Sequence, residues 1–235
     1  MKLHFITSIS KNYWNSTGKY CIPTWELPGD VTIFVDQSGG DLDWVSEVPF
    51  HKELLHVPEL KTRGAERSKV RKFWGKASAQ IEAIRNRGVD ERIVWIDADV
   101  EQTGPLTADM FDFEFSEPLA MMYSGDNEDC WETGVVIFNQ RFGKINIVAR
   151  QYERIWNDDD ELMALFRPYD AQVLGSVAEA RTYLNLCNSP CKNIDALKNT
   201  RFNGLLTHWI NKENKKKLQE LKDGSKSSDI PQVGS

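Results

Sequence analysis

The sequence is short of cysteine, has no long apolar run and carries no excess of positive charge. Its four cysteines, Cys21, Cys130, Cys187 and Cys191, are too few for a disulfide scaffold in a chain of 235 residues. Cys187 and Cys191, separated by Asn-Ser-Pro, have a spacing that can hold half a zinc site. No second Cys or His pair lies near them in sequence, so reduced thiols in a loop are the expectation. No stretch approaches the length of a membrane span, and the opening Met-Lys-Leu-His-Phe-Ile-Thr is too polar beyond Ile6 for a signal peptide. A cytoplasmic location is therefore expected. The net charge of -6 argues against nonspecific binding to DNA or RNA, although a local basic patch can still hold a phosphate. No internal repeat is present. What is there is ordinary for a soluble globular protein, 40% apolar and 27% charged, with enough chain to bury a substantial core in one large domain or two small ones.

The most informative segment is Arg92-Ile-Val-Trp-Ile-Asp-Ala-Asp99. Four apolar residues in an unbroken run predict a strand buried on both faces. The run stops at Asp97 and Asp99, and a turn with Gly104-Pro105 follows. Side chains two apart on a strand share a face, so both carboxylates can aim at one point while Ala98 turns away. Two oxygen ligands at the end of a buried strand suit a hard divalent cation that keeps positions open for substrate phosphates. The plain alternative is a strand end with two solvated acids, one of them helping a turn.

Strands are predicted over residues 3–9 and 31–35, the second ended by Asp36 and the turn Gln-Ser-Gly-Gly. A polar, aromatic-rich connection, residues 11–28, lies between them. Residues 68–87 form the clearest helix, with Val70, Phe73, Trp74, Ala77, Ile81 and Ile84 on one face. Arg85 and Arg87 in its last turn and Gly88 just beyond make a good stop, since glycine accepts a left-handed conformation. Short apolar runs at 119–123 and 134–138 predict two more strands. A helix follows over about 143–156, with Ile147, Val148, Tyr152 and Ile155 buried. Further helices are expected from near Asp158, where the acidic run through Glu161 suits a helix start, and over 170–180. The Ser-rich tail from about Asp223 is expected to be mobile. Strands alternating with helices imply an α/β fold, a mostly parallel sheet with helices on both sides. Ligands of such sheets bind beyond the carboxyl ends of the strands, where Thr7-Ser8, Asp36 and Asp97-Asp99 fall.

At this point the chain resembles the GT-A fold glycosyltransferases, the nucleotide-diphospho-sugar transferases, and is glycogenin-like in motif layout. Val94-Trp-Ile-Asp-Ala-Asp-Val100 resembles the metal-binding Asp-x-Asp of that family. Glu132-Thr-Gly-Val-Val-Ile-Phe-Asn139 resembles the strand that follows it, and Thr207-His-Trp209 the C-terminal segment in which a His adds a metal ligand. The likeness spans roughly residues 1 to 215 in layout. There are departures: glycogenin-like members usually carry Asn at Glu132 and often Asp-Gln-Asp where this chain has Asp170-Ala-Gln172. The family's Gly and Lys after the His are here Asn211 and Asn214, with Lys212 and Lys215 beside them.

The resemblance implies a single GT-A-like domain over 1–222, with a Rossmann-like nucleotide-binding half and a tail at 223–235. It implies a metal-dependent glycosyltransferase that moves a sugar from a nucleotide-diphosphate donor, a UDP- or GDP-sugar, to an acceptor hydroxyl such as that of a glycan. Asp97, Asp99 and His208 would hold Mn²⁺ (or Mg²⁺), Mn²⁺ being favoured because it takes carboxylate and imidazole together. Read alone, His208 beside Trp209 packs or caps a loop. Donor contacts would come from Thr7, Ser8, Asp36, Arg71, Lys76, Asp97, Ala98, Asp99 and Lys212, with Tyr13 or Trp14 stacking on the base or serving as core. Most of the basic residues on the 68–87 helix and after His208 read as solvated charges. Glu132 is a candidate general base or hydroxyl ligand, and Asp170 a candidate facing the donor sugar. The segment Thr7-Ser-Ile-Ser-Lys11 is not the Gly-rich basic loop that a nucleotidyltransferase needs. Glu101 stands where a dehalogenase-type phosphatase would carry Thr or Val. The alternative outside enzymes is a non-catalytic nucleotide-sugar or carbohydrate-binding module of the same fold.

Overall fold

A computed structural model describes residues 1–37, 40–57, 67–123, 131–158, 174, 182–183, 197, 200–209 and 212–224. For residues 67–72, 121–123, 131–133, 157–158, 182–183 and 212 the description covers the backbone only. The strands are β1 (Lys2–Ile9), β2 (Asp30–Asp36), β3 (His51–Leu55), β4 (Glu91–Ile96), β5 (Val100–Gln102), β6 (Leu119–Tyr123), β7 (Trp131–Phe138), β8 (Thr182–Tyr183) and β9 (Leu206–His208). The main helices are α1 (Arg67–Asn86), α2 (Ile145–Asp158) and α3 (Lys212–Gly224).

Among the described residues, seven strands form the central sheet in the order β3-β2-β1-β4-β7-β6-β8. Only β7 runs against the others: it is antiparallel to β4 and β6, while every other neighbouring pair is parallel. The carboxyl ends of β1, β2 and β4 therefore emerge on one side. The mixed α/β architecture expected from the alternation of elements is the one observed. β5 and β9 make a separate two-stranded ribbon, which the sequence does not announce because each strand has three residues.

The pleat sorts each strand between two cores. Ile93 and Trp95 of β4, Ile6 of β1, Phe34 of β2 and Val136 and Phe138 of β7 face α1 and α2. Val94, Ile96, Phe5, Ile33, Val35, Val135 and Ile137 face the opposite layer, which holds Trp14, Phe111, Phe202 and Leu206. Each wholly buried aliphatic or Phe side chain contributes roughly 1.5–3 kcal/mol of transfer free energy. Trp74 of α1 stacks on Trp156 of α2 with centroids 5.7 Å apart, locking the two helices together on the sheet.

Some expectations shift. The buried stripe of α2 is Ile145, Val148, Ala149, Tyr152 and Trp156, whereas Ile147 is exposed. Gly88 does not adopt a positive φ; α1 stops because the chain turns directly into β4, with Glu91 N–H donating to Gly88 O at 3.1 Å. β7 begins at Trp131, so Glu132 lies within the strand instead of before it. α3 runs to Gly224 across the expected boundary at 222. The helices expected near 158–166 and over 170–180, the Cys187 and Cys191 loop and the tail beyond 224 lie outside the described residues, Leu174 apart.

One titratable group sits at the other end of the sheet. His4 is buried, its Nε2 2.9 Å from Thr32 Oγ1. Burial, and then the charge of Arg87, lower its pKa from 6.5. The unfolded chain then binds the proton more readily, so the stability this group contributes is present above about pH 6.5 and is lost as pH falls toward the folded-state value. The urea midpoint is expected to fall between about pH 7.5 and about pH 5.5, and to fall less in His4→Gln. Identical pH slopes in the two proteins would contradict this account.

Candidate active site

β4 hands the chain to the site through a turn. Asp97 N–H donates to Gly134 O at 2.8 Å, extending the pairing with β7 by one bond, and Val100 N–H then donates back to Asp97 O at 2.9 Å. The four residues Asp97–Val100 are thus a tight turn, not more strand. Strand alternation is not what brings the carboxylates together; the turn is. Ala98 does point away, into the layer that holds Val94 and Ile96.

The ribbon supplies the third group. Val100 of β5 lies opposite His208 of β9, and Trp209 N–H donates to Asp99 O at 3.0 Å. His208 Nε2 sits 3.0 Å from Asp99 Oδ1 and 3.6 Å from Asp97 Oδ2. The entry to β9 is fixed by Gly204 at φ 73°, a left-handed turn that suits glycine, and by the amides of Thr103 and Gly104 donating to Leu205 O. Phe202 beneath it stacks on Phe111, which packs edge-on against Phe5 of β1.

Two lysines close on the carboxylates. Lys76 of α1 is buried, donates to Asp97 Oδ1 at 2.7 Å, and lies 5.1 Å from the centre of the Trp95 ring. Trp95 Nε1 donates to the same oxygen at 2.6 Å. Lys215 of α3 pairs with Asp99 Oδ2 at 2.6 Å and donates to Tyr13 Oη at 3.1 Å. Burial works against ionisation of Asp99, but the charges and hydrogen bonds of His208 and Lys215 outweigh it and hold the carboxyl well below its usual range. Burial, helped by the negative charge of Asp99 and Asp97, pushes the Tyr13 hydroxyl well above its ordinary value. Burial likewise pushes up the free, buried Cys21 thiol.

The structure brings Asp97, Asp99, His208 and Lys76 together, with Ala98 behind them. It adds Lys215, which the sequence offers only as one of several basic residues after His208, and Tyr13 from the connection after β1. The signal for Lys215 was its place beside Asn214, which holds the family's lysine position; the helix α3 that carries it was not predicted. Trp14 is core, near Trp44. Trp209 donates from Nε1 to Glu101. Thr7 is wholly buried, its hydroxyl without a hydrogen-bond partner among the described residues, Ser8 is half-buried, and Asp36 is half-buried at the end of β2. Arg71, Glu132 and Lys212 are placed by backbone in α1, β7 and α3, and Asp170 lies outside the described residues. Asn139, the last residue of the second motif, is a tie: its side-chain amide donates to Phe115 O and Glu117 O.

The donor set fits a divalent cation. One ligand atom from each of Asp97, Asp99 and His208 lies within 4.8 Å of the other two. Because Lys76 and Lys215 take one oxygen of each carboxylate, the remaining oxygens are those nearer the imidazole. Two hard oxygens and one imidazole nitrogen form a set that a divalent cation accepts, and the lysines and Trp95 supply the outer hydrogen bonds that orient such ligands.

No family model matches the chain, and no curated protein matches it in sequence. Solved structures do match in shape. The glycosyltransferase GlyE of Streptococcus pneumoniae TIGR4 superposes with a TM-score of 0.59 at 13% identity, over 100% of this chain and 67% of that one. The galactosyltransferase LgtC, solved with donor and acceptor sugar analogs, gives 0.58 at 10% identity over 97% and 98% of the two chains. A glycosyltransferase involved in glycosylation of the major capsid of PBCV-1 gives 0.54 at 10% over 93% and 100%. Among the described residues no helix is long and apolar enough to cross a membrane. On these superpositions, which take in 93–100% of its length, the chain has the GT-A fold of these glycosyltransferases.

Proposed function

We propose that the protein is a metal-dependent glycosyltransferase using a nucleoside-diphosphate sugar. The observation that carries this reading is the meeting of Asp97, Asp99 and His208 with the ammonium groups of Lys76 and Lys215, beyond the carboxyl ends of β1 and β4. In the reaction the bond from the sugar's anomeric carbon to the diphosphate oxygen breaks and a bond from that carbon to an acceptor oxygen forms. The acceptor hydroxyl gives up its proton, and the nucleoside diphosphate departs. A bound Mn²⁺ would act as a Lewis acid on the diphosphate and neutralise the charge it gains. Asp97, Asp99 and His208 would hold that ion, while Lys76 and Lys215 add fixed positive charge where negative charge develops. Tyr13, at the mouth of the connection after β1, would border the nucleoside, with Ser8 and Asp36 at the neighbouring strand ends. Glu132 and Asp170 stay the candidates for the acceptor proton and the donor sugar, and Arg71 and Lys212 for further phosphate contacts. A cytoplasmic place of action and a single catalytic domain that includes α3 through Gly224 complete the reading.

Calorimetry with UDP and with GDP is expected to show binding of one of them that tightens by about tenfold or more when Mn²⁺ is added. A panel of UDP- and GDP-sugars is then expected to yield one donor that is slowly hydrolysed without acceptor. Equal nucleotide affinity with and without Mn²⁺ would reject the metal bridge. Tight metal-dependent binding with no turnover of any donor would favour a binding module.

A further inference from the structure

The two carboxylates at the site divide their oxygens. Asp97 Oδ1 receives Lys76 Nζ at 2.7 Å and Trp95 Nε1 at 2.6 Å, and Asp99 Oδ2 receives Lys215 Nζ at 2.6 Å. The opposite oxygens, Asp97 Oδ2 and Asp99 Oδ1, lie 3.6 Å and 3.0 Å from His208 Nε2. Among the described residues, two ammonium groups thus face two carboxylates before any cation enters. They meet in a poorly hydrated place: Lys76 is 7% exposed and Asp99 3%, so solvent and salt screen these charges weakly. Lys215 is also held where it is. The Tyr13 ring lies 4.7 Å beneath its ammonium. Its helix is tied down by Gln219 Nε2 donating to Ser16 O, by Lys222 pairing with Glu101, and by Tyr20 donating to Asp223.

Among the described residues, a divalent cation arriving alone therefore meets two carboxylates that are each already paired with an ammonium. A diphosphate brings negative charge of its own. We propose that Lys76 and Lys215 are positioning residues that make cation binding conditional on the diphosphate: each fixes one oxygen of its carboxylate, and together they weaken the bare site for metal so that ion and diphosphate enter as a pair. The inference rests on the metal-dependent reading above. It adds that the lysines oppose the metal in the absence of the nucleotide, which a purely structural role would not do.

The test is Mn²⁺ titration without nucleotide, followed by electron paramagnetic resonance of free Mn²⁺ and by calorimetry, on wild type, Lys215→Met, Lys215→Arg and Asp99→Asn. Lys215→Met removes the charge and keeps the length; Lys215→Arg keeps the charge. The expected result is Mn²⁺ binding at least about tenfold tighter in Lys215→Met than in wild type, with Lys215→Arg close to wild type. Saturating UDP or GDP, whichever binds, is expected to tighten Mn²⁺ binding in wild type more than in Lys215→Met. Lys76→Met, read the same way, is the second variant. Mn²⁺ binding that is equal or weaker in both Met variants but lost in Asp99→Asn overturns the inference and leaves the metal site standing. Mn²⁺ binding unchanged by Asp99→Asn, or absent from every variant with nucleotide present, overturns both.

Discussion

Asp99→Asn is expected to lower sugar transfer in the presence of Mn²⁺ by about a thousandfold or more. The substitution keeps shape and removes charge at the point where the most groups meet: one oxygen faces His208, the other Lys215, and the backbone carbonyl takes the Trp209 amide. The same change leaves the Lys215 ammonium without its carboxylate. Lys215 is 17% exposed on its side chain, so it can turn toward water, and the far-UV circular dichroism is expected to match wild type. His208→Ala added to Asp99→Asn is expected to cost little more than Asp99→Asn alone, since the two act on one ion. The measurement is donor turnover at saturating Mn²⁺. A rate within tenfold of wild type would show that the chemistry is done elsewhere.

The second large effect is structural. Phe111 is wholly buried, edge-on to Phe5 at 4.9 Å and stacked on Phe202 at 5.0 Å. It fills the space between the first strand of the sheet and the segment that delivers His208. Phe111→Ala is expected to cost about 3–5 kcal/mol of stability, the transfer free energy of the ring plus the cavity left behind. It is also expected to weaken Mn²⁺ binding, because Phe202 would lose the surface that sets the entry to β9. Urea unfolding at neutral pH gives the first number and Mn²⁺ titration the second. A loss below about 1 kcal/mol would mean that the layer collapses around the gap.

Much of this was legible in the sequence, for physical reasons that differ between elements. The buried run Ile93 to Ile96 and the helical stripe from Trp74 to Ile84 were readable because long, one-signed patterns are dictated by burial on a fixed period. The three-residue strands β5 and β9 were not, because a ribbon that short has no period to show. Its pairing depends on a turn at Gly204 and on packing by Phe202. Asp97 and Asp99 were expected to converge through strand alternation, whereas a turn, not a pleat, lets both reach His208. Lys215 was hidden because a basic helix reads as solvated charge. Only the placement of α3 against Tyr13 and Ser16 shows which of its lysines turns inward. Ile147 failed in the opposite sense, an apolar residue on the exposed side of α2, because surface area left over from the core is not all polar.

The His208–Asp99 contact spans 109 residues of sequence, and that separation has a consequence during synthesis. A ribosome releases the acid Asp99 a full 109 residues before the imidazole of His208. Until then the growing chain has half a pocket, two acids and one lysine without their counterpart from the far end. Any fragment ending before β9 is therefore expected to lack the three-ligand seat, so that it forms only after His208 has left the exit tunnel.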